Sequence, residues 1–152
     1  MNILQAEDAV NGREGIATAE INGEIVEIME LANLTATVEK NKTEFKAIGQ
    51  RNTQSKTTGW KGTGSANVRY VSSRWAKMVQ EYAKTGKDTY FTIVVTNEDQ
   101  GSATGRQVIQ ILGCNIDSVD IAKLDIDADI LDQDIDFTFN DFNILEEFTP
   151  LV

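Results

Sequence analysis

The chain has 152 residues, of which 41% are hydrophobic and 25% charged, and this composition is typical of one soluble globular domain spanning residues 1–152. It contains no histidine and one cysteine, Cys114, which excludes Ser-His and Cys-His nucleophiles, imidazole acid-base chemistry and an internal disulfide. The net charge of −10 lies at one end, because residues 1–113 contain 13 acidic and 13 basic side chains, whereas residues 114–152 contain 11 acidic side chains and Lys123.

The first predicted element is a β-hairpin. Residues 16–21 and 24–28 flank an Asn-Gly pair at 22–23, and this pair favours the two positive-φ positions of a type I′ turn. Residues 34–39 alternate again and contain β-branched side chains, which predicts that the second strand runs on with a bend at 32–33.

Residues 40–64 are predicted to form a loop. Residues 40–61 contain six Lys or Arg side chains against one acid, Glu44, and therefore carry a charge of +5. Few of the side chains are apolar, so this segment can bury little surface, and loops of this length are usually functional or disordered. We predict a long, mobile, basic loop at about 40–64, followed by a strand at 65–71.

One helix is predicted after this strand. Two serines at 72–73 precede apolar side chains at helical spacing, and Gly86 provides the left-handed residue that ends a helix. Apolar side chains with this spacing are typical of core packing rather than of a platform that stacks on a base or a ring. The predicted core face of the helix consists of Trp75, Met78, Val79 and Tyr82.

The remaining segments are rich in β-forming residues. Residues 90–96 and 107–112 predict a hairpin with a long polar connection at 97–105. From residue 116 onward apolar and acidic side chains alternate, and two slips in the alternation predict two further strands with a turn at 132–134. The predicted fold is mainly β, an antiparallel sandwich or barrel of about seven or eight strands with one flanking helix.

This alternation gathers carboxylates on strand faces. It places Asp125, Asp127 and Asp129 on one face of the first strand, and Asp134 and Asp136 on one face of the next. The acidic and basic segments therefore lie apart on one chain. Separated patches of opposite sign solvate a surface, and they also serve self-association through unlike surfaces.

Ligand-binding motifs are weak. Residues 125–136 have the DxDxD start of a calcium loop, but Ile130 stands where the sharp turn needs glycine and no helix flanks the loop. The glycines of residues 59–64 match neither phosphate-binding motif and lead into a strand. We expect no catalytic residues, no cofactor, no metal site and no sequence-specific reading of DNA, while diffuse cation binding by stacked carboxylates stays open.

Residues 11–148 resemble the tail tube proteins of contractile-tailed phages of Gram-positive hosts, of the type found in PBSX-like defective prophages. The most specific motifs are VEKNK at 38–42, KTTG at 56–59 with GTG at 62–64, and FTFNDF at 137–142. The resemblance implies a two-sheet β-sandwich with one helix, six copies per ring, and rings stacked head to tail into an inner tube. It also implies tail sheath, baseplate and tail terminator proteins as partners, and DNA in passage without specific binding.

Each of the two charged segments has an expected role in such a tube. The loop at 40–64 is expected to order when it stacks on the next ring, through Lys40, Lys42, Phe45, Lys46, Ile48, Arg51, Lys56, Trp60 and Lys61. The acidic residues Asp125, Asp127, Asp129, Asp134 and Asp136 are expected to contribute charge to the tube lumen. A barrel of seven or eight strands encloses only side chains or a small ligand, so only several copies together can enclose DNA.

Two alternatives remain open at this point. One is the tube subunit of a phage-tail-like bacteriocin or secretion device, and the other is a cation- or small-ligand-binding β-barrel module. No apolar run approaches 18 residues, and the first residues lack a basic stretch followed by an apolar one. We therefore expect no membrane span and no secretory signal, and a protein that is assembled in the host cytoplasm into a virion tail or tail-like particle.

Overall fold

The computed structural model describes residues 3–150 and is mainly β, which confirms the predicted fold class. The elements are β1 (Gly15–Ile21), β2 (Glu24–Glu27), β3 (Leu31–Lys46), β4 (Thr53–Arg69), α1 (Arg74–Thr85), β5 (Phe91–Glu98), β6 (Arg106–Val119), β7 (Asp132–Phe139) and β8 (Asp141–Glu146), after a short 3-10 helix at Ala6–Asp8. Neighbouring strands are antiparallel and follow the order β2-β1-β5-β6-β7-β4-β3, with β8 beside β6. Within residues 3–150 no helix is both long and apolar enough to cross a membrane.

Strand β6 is shared by two sheets. Its first half pairs with β5 and β8, and its second half pairs with β7. The chain bends at Gly113, where φ is +66° and where an added Cβ would lie 2.7 Å from Nδ2 of Asn140. The bend divides the strands into sheet A (β2, β1, β5, β8 and the first half of β6) and sheet B (β3, β4, β7 and the second half of β6).

The core lies between the two sheets and under the start of α1. Buried side chains include Ala19 and Ile93 of sheet A and Ile135 of sheet B. Trp75 of α1 is 3% exposed, and its ring centroid lies 6.0 Å from that of Phe91. Burying these side chains is the main stabilising contribution to the fold, and the helix adds to it chiefly through its first turn.

The predicted core face of α1 is correct at its start and wrong at its end. Trp75 is buried and Met78 and Val79 are half-buried, but Tyr82 is 55% exposed. Every residue from Gln80 to Asp88 is exposed, so the strands do not cover the second half of the helix. Helical spacing therefore identified an apolar stripe longer than the surface that covers it.

Several local predictions are confirmed. Asn22 and Gly23 have φ values of +53° and +84° and join β1 to β2 in a two-residue turn. Gly86 has φ of +76°, and its N–H donates to the carbonyl of Tyr82 at 2.8 Å, which ends α1 as expected. The predicted hairpin with a long connection is the β5–β6 pair.

The predicted loop at 40–64 is wrong. This segment belongs to β3 and β4, which pair from Leu31 to Lys46, and only residues 47–52 connect them. The outer strands have no apolar face, so they lack the hydrophobic alternation that identifies a strand, although their many threonines favour one. The strand at 34–39 is also not a continuation of β2, because β2 lies in sheet A and β3 in sheet B, with a bulge between Leu31 and Asn33.

The predicted strand around Asp125 is likewise wrong. Residues 120–131 form a loop, and β7 begins at Asp132, where a turn was predicted. Asp132 pairs with Arg69, the last residue of β4. Strand β7 therefore begins where β4 can provide a hydrogen-bonding partner. Alternation in residues 124–130 marks a segment that has the pattern of a strand but no partner strand within the described chain.

Candidate interaction surfaces

The outer parts of β3 and β4 with their turn form a projection, here called the basic arm (residues 40–61). Strand β4 pairs with β7 only from Gly62 to Arg69, so the arm is a two-stranded ribbon that extends roughly 30 Å beyond that pairing. All six of its basic side chains are exposed, and none forms an ion pair within residues 3–150. A ribbon of two strands is only marginally stable when nothing packs against it.

The three apolar residues predicted on this segment occupy different positions. Trp60 packs at the base of the arm, with its ring 6.2 Å from that of Phe139 and 5.9 Å, edge-on, from that of Phe142. Phe45 is 46% exposed near the outer end, and Ile48 is fully exposed in the turn. Trp60 therefore fixes the arm to the body, and Phe45 and Ile48 remain available for a contact.

The GTG and FTF motifs are partners across two strands. Gly62 lies opposite Phe139 and Gly64 lies opposite Phe137 in the β4–β7 register. A Cβ at either glycine would overlap the facing ring, so the two aromatic side chains lie over the bare backbone of β4. The sequence identified both motifs, but their contact depends on a register between residues 73 and 77 positions apart in the chain and could not be read locally.

The outer face of sheet B is polar throughout. Asp134 and Asp136 share this face, as predicted, and both are exposed. Nδ2 of Asn67 donates to Asp134 at 2.9 Å, and Oγ of Ser118 donates to Asp136 at 3.1 Å. The other outward positions on β3, β4 and β7 include Asn33, Thr35, Thr37, Glu39, Thr63, Ser65, Asn67, Arg69, Asp132 and Thr138.

Asp125, Asp127 and Asp129 lie in the loop 120–131, here called the acidic loop, and not on a strand face as predicted. The ends of this loop are held by Tyr70, whose hydroxyl donates to the carbonyl of Ile121 at 3.3 Å and whose N–H donates to the carbonyl of Leu131 at 3.0 Å. Between these anchors the tip is exposed.

The acidic loop and the basic arm lie at opposite ends of sheet B. The loop leads into Asp132, which pairs with Arg69 at one end of the β4–β7 ladder. The arm begins beyond Gly62, at the other end of the same ladder. Each copy therefore carries positive charge at one end and negative charge at the other, which suits an open, head-to-tail contact between copies.

An ion pair closes the base of the acidic loop. Nζ of Lys123 lies 3.2 Å from Oδ1 of Asp132. The hydrogen bond from Lys123 lowers the pKa of Asp132, and the bond to Asp132 raises the pKa of Lys123. The contribution of Asp132 to stability is thus present above the ordinary carboxyl pKa and is lost as the pH falls through the lowered value, whereas that of Lys123 is lost only as the pH rises through its raised value.

Lys123→Met is therefore expected to flatten the dependence of stability on pH at both extremes, with a small effect because the pair is exposed. Urea unfolding midpoints measured from pH 2 to pH 11 would show this. The matched control is Lys87→Met, which removes the exposed pair with Glu81 on the helix side. An acid limb identical in the parent and in Lys123→Met would contradict the role given to this pair.

Nearly the whole chain is similar in sequence to known proteins. Residues 2–146 match a family model described as phage tail tube protein. The chain is 37% identical over 146 residues to the phage-like element PBSX protein XkdM of Bacillus subtilis (strain 168), covering 96% of this chain and 97% of that protein.

Two solved structures share the fold at 9% sequence identity. A chain of the sheath/tube terminator of the extracellular contractile injection system PVC superposes with a TM-score of 0.70, covering 93% of this chain and all of that one. A chain of the PVC sheath-tube complex superposes with a TM-score of 0.68, covering 91% and 93%. At this identity the likeness shows the fold.

Proposed function

Since the chain belongs to the phage tail tube protein family, we propose that it forms the inner tube of a contractile tail by stacking rings of six copies. The observation that most supports this proposal is that one sheet has a polar outer face, a basic arm at one end and an acidic loop at the other. Such a subunit can place the polar face on a channel while its two ends meet the neighbouring rings.

Sheet B has the number of strands that this arrangement needs. If each of six copies contributes β3, β4, β7 and the second half of β6, the ring closes as a barrel of 24 strands. At ~4.8 Å between strands and ~40° tilt, its backbone diameter is on the order of 48 Å, which passes a DNA duplex after side chains are added. Carboxylates such as Asp134 and Asp136 on the lumen wall would repel phosphates and keep the DNA from binding.

The surroundings of the tube are proposed from the same family membership. The outer surface would meet a tail sheath protein, and the ends of the tube would meet baseplate and tail terminator proteins. The similar structures support this, since they come from sheath-tube and terminator assemblies. The protein would assemble in the host cytoplasm and remain in the virion tail.

Electron microscopy of the concentrated, purified protein tests the proposal. We expect rings with six-fold symmetry, and tubes with a central channel built from them. The same sample in the analytical ultracentrifuge should show species larger than the 16.8 kDa chain. A protein that stays monomeric at every concentration tested would contradict the proposal and favour a monomeric binding module.

Reversing three bases of the arm is expected to block stacking without affecting the fold. In the triple variant Lys42→Glu, Lys46→Glu and Arg51→Glu, like charges face the acidic end of the next copy, which slows encounter and disrupts register. Because the Debye length is about 8 Å at 0.15 M salt and about 3 Å at 1 M, parent tubes should grow more slowly in 1 M salt.

Light scattering measures this growth, and the matched control is Lys77→Glu, Lys84→Glu and Lys87→Glu, which makes the same charge change on the helix side. If the arm variant polymerised at the parent's rate at both salt concentrations, charge-complementary stacking would be wrong.

Neutralising the polar face is expected to have the opposite effect. The double variant Asp134→Asn and Asp136→Asn should fold normally and assemble as fast as the parent or faster, because repulsion between carboxylates is relieved. Each amide keeps an oxygen that can accept the bond from Asn67 or Ser118. The control Asp88→Asn and Asp117→Asn makes the same charge change beside α1. A density map of the tube with residues 134 and 136 on the outer wall would refute the lumen assignment.

A further inference from the structure

An apolar cleft opens where the basic arm separates from the body. Strand β8 bends away with β6 at Gly113, while β4 continues as one strand into the arm, so sheets A and B diverge at this point. The cleft has a volume of about 230 Å³, and its walls include Leu34, Val38, Val95, Ile109, Phe139 and Phe142. Val38 is 41% exposed and Phe142 is 37% exposed, so the isolated chain leaves this apolar surface in water.

The acidic loop carries apolar side chains that the described part of the chain leaves exposed. Leu124 and Ile126 at its tip are each 98% exposed, and Ile130 is 67% exposed. Single exposed apolar residues are ordinary, but here three of them alternate with carboxylates on a tip whose two ends are fixed by Tyr70. The tip is therefore held at both ends, and it can extend between them when it binds a partner.

Within one copy the tip and the cleft do not meet, since the side chains of Leu124 and Ile126 are almost fully solvated. The cleft lies beside Gly62 and the acidic loop lies beside Arg69. The stretch of β4 between these two residues, roughly 23 Å long, separates them. A second copy stacked head to tail brings its loop end toward the arm end of the first. Lys40 follows Val38 on the same face of β3, so a base borders the cleft near the incoming carboxylates.

We infer that the acidic loop of each copy docks in the apolar cleft of a copy in the next ring, an inference that rests on the proposed tube function. Leu124 and Ile126 enter the cleft, and Asp125 and Asp127, which alternate with them, face the bases of the arm. The outer edge of β8, which pairs only with β6 among the described strands, is open for the loop to add as a strand. The loop then has a strand pattern because its partner strand lies on another copy.

Disulfide trapping tests the contact directly. The native Cys114 is buried, and burial raises the pKa of its thiol to about 12, so it stays unreactive in the folded chain. Two separate variants, Ile126→Cys and Val38→Cys, are mixed, assembled and oxidised with copper phenanthroline. We expect a cross-linked dimer from this mixture and none when Ile25→Cys, exposed on β2, replaces Val38→Cys. A chain with both substitutions, Val38→Cys and Ile126→Cys, should give a ladder of linked copies.

A second variant measures what the contact contributes. Leu124→Ser with Ile126→Ser changes only solvated side chains of the isolated copy, so its circular dichroism and thermal midpoint should match the parent's. Losing two docked aliphatic side chains should raise the concentration needed for half-assembly by about 100-fold.

The outcomes separate this inference from the function on which it rests. Cross-linking of Ile126→Cys to Val38→Cys together with the assembly defect supports docking. If the parent forms tubes but either result is missing, the docking inference is overturned and the tube function stands. If the parent forms neither rings nor tubes, the proposed function fails and the inference fails with it.

Discussion

Gly64→Val is expected to destabilise the folded chain by about 3 kcal/mol, the upper part of the range for overpacking a core. The new side chain would overlap the ring of Phe137, which lies directly across from Gly64 and is 2% exposed. A buried ring cannot move aside without opening the space between the two sheets. Urea unfolding followed by tryptophan fluorescence would measure the loss.

The same strand offers a matched control. Gly59→Val introduces the same side chain in the arm, where the nearest atom to an added Cβ is Nδ2 of Asn41 at 4.0 Å. We expect little change in the free energy of unfolding there, since valine favours strands. In the double variant Gly64→Val and Phe137→Leu, the smaller facing side chain should recover part of the loss. Equal destabilisation by Gly64→Val and Gly59→Val would show that the facing ring is not the cause.

Removing the outer arm is expected to abolish tubes while leaving a folded protein. Residues 43–56 are replaced by Asn-Gly, which joins Lys42 to its cross-strand partner Thr57 through a two-residue turn. Apart from the half-buried Ala47 and Gln54, the deleted residues are exposed, and none belongs to the buried core, so the thermal midpoint should change by only a few degrees. Phe45, Ile48 and three of the bases disappear together, so tube formation should be lost in sedimentation and electron microscopy.

Mixing experiments give this deletion a sharper readout. Copies without the arm retain the acidic loop and should still join the arm end of a parent ring, but they offer no arm for the next ring. Small amounts added to parent protein should therefore shorten the tubes in proportion to the amount added. Normal tubes from the deleted variant alone would show that the arm is not a stacking element.

Elements with a strong local pattern were predictable from the sequence. The Asn22-Gly23 turn, the start of α1 at Trp75 and the β5–β6 hairpin each depend on side chains close together in the chain. The family motifs were also recognisable, because they are short and contiguous. The segregation of charge was visible in the same way, and the structure places the basic arm and the acidic loop at opposite ends of sheet B.

Long-range pairing alone decided the rest. The arm is a strand pair although it has no apolar face, because each strand provides hydrogen-bonding partners for the other. The acidic loop is not a strand although it alternates strictly, because within residues 3–150 it pairs with no other strand. Local sequence thus determined the Asn22-Gly23 turn, the helix and the charge pattern, whereas register and partner edges, which join residues far apart in the chain, were decided only by the tertiary structure.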